Sequence, residues 1–377
     1  MNFELNEQQR QLQDSVQKLV RQHCSFEQRR AIAASPQGRS AELYAQLAEL
    51  GITGLLVPED HGGFGARMED LLPVLQALGG ALLTEPVLAS AVLAATALRL
   101  SGDEPAQARW LPDIADGSML LSWAHDEPGS GRADCWIETR AERQGSHWVL
   151  HGRKQPVLHG AQAQAFIVSA RVAGAAGDMD GRALFVVEAA AGGLTRRDFR
   201  LVDDTPAAGL TLDGVVAQPL GDPLDGAAAS AVIRGTADAG IAALCCDMLG
   251  AAEAAFKLAV DYLNVRRQFG RLIGENQALR HRAAEMLVSL ETARSMAIAA
   301  VVAADHPHEP DSAADLLRAK LVVGRHARLV CQQAIQCHGG IGMTEEFAVG
   351  HCLRRVHVAD QLFGDEETQA QRLAALL

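Results

Sequence analysis

The sequence predicts a mainly α-helical protein with a β domain at its centre, and three observations carry that prediction. The chain is 48% apolar but only 4% aromatic, an aliphatic, alanine-rich makeup that favours packed helices over a β-sandwich. Helical periodicity dominates both ends of the chain. Between about residues 117 and 225 it gives way to short apolar runs such as Trp148-Val149-Leu150, Phe166-Ile167-Val168 and Leu184-Phe185-Val186-Val187, set between glycines, as short strands are. A length of 377 residues is enough to bury a large core in about two or three domains. The expected division is helical over 1–116, β over 117–226 and helical over 227–377.

Taken in order, the first helix starts at Asn6, an N-cap residue with Gln9 three positions on, and carries Leu12, Val16, Leu19 and Val20 at helical spacing. Helical patterns continue to about Leu111. After the β region, long Ala/Leu-rich stretches run from Ala227 and break at His306-Pro307-His308-Glu309-Pro310, a helix-to-helix loop. The spacing predicts one long helix over Val232 to Arg267. Arg266 then lies near its C-terminal end, with Gln268 and Phe269 entering a turn at Gly270.

Several function classes are set aside by composition. No run of about 18 uninterrupted apolar residues exists, and Met1-Asn2-Phe3-Glu4-Leu5-Asn6 has neither the basic flank nor the apolar stretch of a secretion signal. The expectation is a cytoplasmic protein with no membrane partner. A formal charge of −12 offers no footprint for nucleic acid. Seven cysteines without regular spacing read as reduced thiols. Cys331, Cys337 and His338 read as packed helix residues, since no second paired motif completes a metal site.

Two segments carry chemistry: Arg266-Arg267-Gln268-Phe269-Gly270-Arg271-Leu272-Ile273, and Gln336-Cys337-His338-Gly339-Gly340-Ile341-Gly342 some seventy residues later. Singly each is bland: Arg266 as a cation at a helix C-terminus, Phe269 as a core aromatic, the glycines as a helix-breaking turn. Together they supply a guanidinium fork for pyrophosphate, an aromatic face for adenine, and missing side chains where backbone must approach phosphate. A flavin dinucleotide is the cofactor this set suggests.

The order and spacing of these segments resemble the acyl-CoA dehydrogenase family, with its Arg-x-Gln-Phe-Gly and Gln-x-x-Gly-Gly-x-Gly signatures. The resemblance runs the length of the chain. Pro58-Glu59-Asp60-His61-Gly62-Gly63 resembles the family's Pro-Glu-x-x-Gly-Gly turn, Ala124-His125-Asp126-Glu127-Pro128 its Ala-x-Thr-Glu-Pro, and Leu150-His151-Gly152-Arg153-Lys154 its Leu-x-Gly-x-Lys hairpin. Within the family, Ser25-Phe26-Glu27-Gln28-Arg29, Ala242-Ala243-Leu244-Cys245 and Asp360-Gln361-Leu362-Phe363-Gly364-Asp365 are similar to small subunits of the pimeloyl-CoA dehydrogenase type. The resemblance implies an N-terminal helical domain, a middle β-barrel-like domain and a C-terminal four-helix bundle. It also implies that Arg266, Gln268, Phe269, Gln336, Gly339 and Gly340 contact FAD held mainly by a neighbouring subunit.

The same resemblance exposes a gap. Family members remove the proton α to a thioester carbonyl with a glutamate in a Tyr-Glu-Gly-Thr element. Counted without gaps from Gly339, Phe363 stands at the base position and Asp365 at that of the threonine. The alternative base position, on the long helix before the arginine, falls on Gly240. A shift of two or three residues would bring Asp365 or Glu366 to the base position, although Asp365-Glu366-Glu367 also reads as an acidic first helical turn. Where the family has an aromatic-Ile-Thr stretch at the flavin ring, this chain has Gln155-Pro156-Val157-Leu158-His159. His125 and His159 read as solvated loop side chains or as polar groups of a modified site.

The expectation is therefore FAD-dependent dehydrogenation of an acyl-CoA by one subunit of a hetero-oligomer, completing the pocket of a homologous, base-carrying partner, with an electron-transfer flavoprotein as acceptor. Two alternatives stay open: a self-sufficient homodimer or homotetramer using Asp365 or Glu366, and a non-catalytic acyl-CoA-binding or scaffolding protein.

Overall fold

The computed structural model describes residues 5–129 and 136–376; Met1–Glu4, part of the stretch read for a secretion signal, lie outside the described residues. Helices α1 (Glu7–His23), α2 (Phe26–Ala34), α3 (Ala41–Glu49) and α4 (Met68–Gly80) come first. A π-helical segment, Val87–Ala94, runs into α5 (Ala95–Ser101), and α6 (Glu104–Ala115) follows. Seven strands come next: β1 (Leu121–Ala124), β2 (Arg140–Gln144), β3 (His147–Leu158), β4 (Ala165–Arg171), β5 (Arg182–Glu188), β6 (Leu194–Arg200) and β7 (Pro206–Pro219). Then come α7 (Gly226–Val265), the short strands β8 (Arg267–Gln268) and β9 (Arg271–Leu272), α8 (Gln277–Asp305), α9 (Ser312–His338), α10 (Ala348–Gln361) and α11 (Glu366–Ala374).

Two compact units form. One gathers 1–31, 68–83 and 241–377; the other gathers 32–67 and 84–240. The first is helical. Its α1 begins with the capping box that Asn6 and Gln9 predict: Gln9 N–H donates to Asn6 Oδ1 at 2.8 Å, and Asn6 N–H donates to Gln9 Oε1 at 3.0 Å. Helices α4 and α7 cross with backbones almost touching, because a Cβ on Gly250 would lie 1.9 Å from the Gln76 carbonyl oxygen, so glycine is required there. The α8–α9 connection falls on His306–Asp311, where the histidine–proline loop was expected. Both α7 and α8 are apolar over a stretch long enough to cross a bilayer. In α7 83% of that stretch is buried in protein and in α8 44%, so α7 is a core helix and α8 keeps an outward apolar side that includes Val288.

The second unit holds the sheet. Strands β4, β5, β7, β3 and β2 pair in a closed circuit, with β1 beside β4 and β6 beside β7. Alternate residues fill its inside: Phe166, Val168 and Ala170 of β4, Ala183, Phe185 and Val187 of β5, Ala208, Leu210 and Leu212 of β7. Closure leaves few unpaired edges. Leu150–Lys154 does not form the hairpin that its resemblance implied. It lies inside β3, the turn sitting at Gly145, and the register slips between Leu150 and His151. Gly152 fits that bulge because a Cβ would lie 2.4 Å from Thr139 Oγ1. The long helix also differs from its expected span, starting six residues earlier and ending before Arg266.

Glu85 stands out in the second unit. Buried, it accepts the Ser40 N–H at 2.9 Å where Ser40 caps α3. Burial pushes its carboxyl up from 4.5 to about 7 against the opposing pull of the Ser40 N–H and Arg39. A raised carboxyl favours the protonated fold, so its contribution to stability is present below the unfolded value and lost as pH rises through the folded one. The loss amounts to about 3 kcal/mol between pH 5 and 8. Glu85→Gln should flatten that stretch of the stability–pH curve and be more stable than the wild type at pH 8 in urea titrations. Parallel curves would show that Glu85 is not the group responsible.

Candidate cofactor site

The chain leaves α7 at Val265 and makes a tight hairpin: Arg267 and Gln268 pair with Leu272 and Arg271, and the two residues between are Phe269 and Gly270. Both have positive φ, +52° and +80°, as a type I′ turn demands. Glycine takes that conformation freely, whereas phenylalanine is strained in it by roughly 1–2 kcal/mol. The Phe269 ring is also fully exposed, so neither local preference nor core packing explains its place. The bland reading of Phe269 as a core aromatic does not hold within this chain. Arg266, whose N–H closes the helix on Tyr262 O at 2.9 Å, and Gln268 are exposed beside it. Among the described residues none pairs with the Arg266 guanidinium.

Helix α9 ends at His338, and Gly339 turns the chain at φ +67°. A Cβ on Gly339 or Gly340 would meet nothing within 4 Å, so the space above this backbone is open. Gln336, Gly339 and Gly340 are exposed, as are Ile341 and Met343 just beyond.

Rings hold these two ends together. Tyr262, one helical turn before Arg266, stacks on His338 with centroids 4.6 Å apart, and Phe347 packs on His338 at 4.8 Å. His338 Nδ1 donates to Ala334 O at 2.7 Å. Burial lowers its imidazole below the usual value despite the carbonyls of Ala334 and Leu258 that favour the charged form, so the ring is neutral at pH 7. Tyr262 and Phe347 were not singled out in the sequence. Tyr262 falls four residues before Arg266 and therefore on the same helix face, a spacing from which it was open to being found.

The arrangement fits the adenosine–pyrophosphate end of FAD approaching from outside: an unpaired guanidinium, an exposed ring, and backbone with no side chain over it. The segment that the resemblance places at the flavin ring is instead built into the sheet. Val157 and Leu158 end β3 as buried strand residues paired with Ala208 and Ala207, and His159 is buried at φ +54°, its N–H donating to Pro206 O. It is not the solvated loop side chain that the sequence suggested. Nor is His125, which hydrogen-bonds Ser169 Oγ at 2.9 Å, burial and the Lys154 ammonium pushing its imidazole down to about 3.

Glu127 and Lys154, drawn from two separate sequence landmarks, meet as a buried ion pair at 2.6 Å. Lys154 Nζ also donates to His125 O and Ser169 Oγ, while Glu127 accepts the N–H groups of Glu138 and Thr139. Burial pushes the Glu127 carboxyl up, but Lys154 and these donors more than offset it and hold it low. The pair ties β3 to the end of β1 and is structural.

The carboxylates near the expected base are likewise engaged. Asp365 caps α11, accepting Thr368 N–H at 3.1 Å and Thr368 Oγ1–H at 2.7 Å. Glu366 accepts Arg325 Nε at 2.9 Å and Nη2 at 2.6 Å on one oxygen, and Arg328 Nη2 at 2.5 Å on the other. Partial burial pushes it up, yet the two guanidiniums hold it below the usual carboxylate range, the opposite of what a general base near pH 7 needs. Phe363 sits at φ +58°, and Gly240 is buried within α7. Asp238, whose carboxyl burial raises to about 6, is titratable in the right range but lies two residues from Gly240, roughly 200° around the helix. It cannot stand in for a base at the Gly240 position.

The profile described as acyl-CoA dehydrogenase, N-terminal domain, matches residues 6–118, and that described as acyl-CoA dehydrogenase, C-terminal domain, matches residues 231–377. The acyl-CoA dehydrogenase FadE12 of Mycobacterium tuberculosis is 32% identical over 336 residues, which cover 85% of this chain and 83% of that protein. A solved variant of the Tcur3481-Tcur3483 steroid ACAD superposes with a TM-score of 0.87 at 29% identity, covering 98% of this chain and 97% of its own. The ChsE4-ChsE5 complex from Mycobacterium tuberculosis does so with a TM-score of 0.88 at 25% identity, over 100% and 98%.

Two substitutions check this geometry. Phe269→Asn puts a residue that tolerates positive φ into the turn and should raise unfolding stability by about 1 kcal/mol in denaturant titrations; unchanged or lower stability would mean the turn is not strained. Lys154→Met leaves Glu127 charged and buried alone, and should lower stability by about 3–5 kcal/mol. A loss under about 1 kcal/mol would place the pair in contact with water.

Proposed function

Because the chain belongs to the acyl-CoA dehydrogenase family, FAD-dependent oxidoreductases acting on CH–CH bonds, we propose that it works as one subunit of a hetero-oligomeric member, completing the FAD pocket of a partner that carries the base. One observation supports this most: the Arg266 guanidinium has no partner among the described residues and the Phe269 ring is exposed, while Asp365 and Glu366 are bound up in structure. Two similar solved structures carry the names of two components each, Tcur3481-Tcur3483 and ChsE4-ChsE5, which favours pairing over self-sufficiency.

In this reading a carboxylate of the partner removes the proton α to the thioester carbonyl, and the β hydrogen leaves as hydride, which FAD accepts when bound. This chain's own part is binding and orientation. Arg266 neutralises pyrophosphate charge, Gln268 adds a donor, Phe269 offers its face to adenine, and Gln336, Gly339 and Gly340 close the other side with backbone free to approach. The strain at Phe269 is consistent with a ring held out for a ligand. The substrate in this reading is an acyl-CoA with a dicarboxylic or otherwise bulky acyl group, in keeping with the resemblance to pimeloyl-type small subunits and with one similar solved structure that is named a steroid ACAD. An electron-transfer flavoprotein is the proposed acceptor, and the cytoplasm the proposed location.

Asp365→Asn and Glu366→Gln test the reading. In the flavin-loaded assembly both variants should turn over acyl-CoA within about twofold of the wild type, since neither carboxylate takes the proton. A drop of about a hundredfold or more in either would make it the base and this chain a complete enzyme.

A further inference from the structure

We propose that His338 is a positioning residue that sets the distance between the two halves of the FAD clamp. The inference rests on the reading of Arg266–Phe269 and Gln336–Gly340 as that clamp. The two halves belong to different helices, and each follows directly on the end of its helix: the hairpin after α7, the glycines after α9. A helix end without a tertiary contact frays, so their separation needs a fixed point. His338 supplies it. The residue is 5% exposed, and its ring stacks on Tyr262 at 4.6 Å, packs tilted on Phe347 at 4.8 Å, and is fixed in rotation by the Nδ1–H bond to Ala334 O. Its own next residue is Gly339, and Tyr262 is one turn from Arg266, so a ring displaced at this point moves both halves. Gly342 folds back over the same side chain: a Cβ there would lie 3.0 Å from His338 Cβ and 3.1 Å from Ile335 O. A further link crosses from α8, where Arg282 donates to Gln333.

The positioning role makes a distinctive demand on data. Removing the ring should loosen the cofactor without touching the chemistry once the cofactor is in place. Substituting a ring of similar shape should restore it even though the Nδ1–H bond is lost, because the contact that carries the spacing is face-to-face.

The test follows FAD release from the flavin-loaded assembly on dilution, read by the fluorescence of freed flavin, for wild type, His338→Ala, His338→Phe, Tyr262→Leu and Arg266→Ala. His338→Ala and Tyr262→Leu should release FAD roughly three- to tenfold faster, the scale of one lost aromatic pair, while kcat at saturating FAD stays within about twofold. His338→Phe should release within about twofold of wild type. Wild-type release from His338→Ala, or release from His338→Phe as fast as from the alanine variant, would overturn the positioning role. Tyr262→Leu removes the stack from a half-exposed residue and decides the matter by the same criterion if His338→Ala does not fold. Arg266→Ala separates the two levels of the argument. If it releases FAD at the wild-type rate, the clamp reading itself fails and the role of His338 with it.

Discussion

The end of α7 and the end of α9 are held together by the Tyr262–His338–Phe347 ring contact, and what this chain offers a cofactor depends on it. An exposed guanidinium and an open glycine backbone bind a pyrophosphate only if they face it together, since two half-sites with independent motions give up the entropy that preorganisation would save. The chain spends local stability nearby, in the positive φ of Phe269. Strain of that kind persists only where the surroundings over-determine it, and here the β8–β9 hairpin bonds and the Ile273 N–H to Arg266 O do so.

In the turn between α10 and α11 the same logic is applied to structure instead of ligand. Phe363 O accepts Gln369 Nε2 and Arg372 Nη1, and Gly364 O accepts Gln369 Nε2 and the buried Lys320 Nζ. Asp365 and Glu366 complete the turn as a helix cap and as the acceptor for two arginines. A carboxylate with two guanidiniums on it is a poor proton acceptor, because abstraction would need it to give up those charge-assisted bonds. The functional asymmetry of the chain is thus one of engagement: the Arg266 guanidinium is left without a partner among the described residues, whereas Asp365 and Glu366 are each held by hydrogen bonds.

Much of this was legible in the sequence where the signal is local. The Asn6–Gln9 capping box, the loop before α9 and the short apolar runs that become β4 and β5 follow from short-range rules and are found in place. The resemblance located Arg266 and Gly339 but not their conformation. A phenylalanine at positive φ runs against propensity, so the hairpin at Phe269 was read as a plain turn. The partners of Glu366 lie 38 and 41 residues away, and those of Lys154 lie just past the end of β1 and within β4; pairings at that separation are set by tertiary packing and leave no periodic trace. The Leu150–Lys154 segment misled because a glycine in a strand signals a bulge as readily as a turn.

The central claim is that this chain lacks the base and shares a partner's flavin pocket. The most direct check is the visible spectrum and native mass of the chain expressed alone, followed by anaerobic addition of dicarboxylic, steroid-side-chain and aromatic acyl-CoAs. The account predicts a protein that is colourless or whose flavin no acyl-CoA bleaches, and that gains bleaching when its partner is supplied. A flavin-saturated homo-oligomer bleached by one of these thioesters would contradict it.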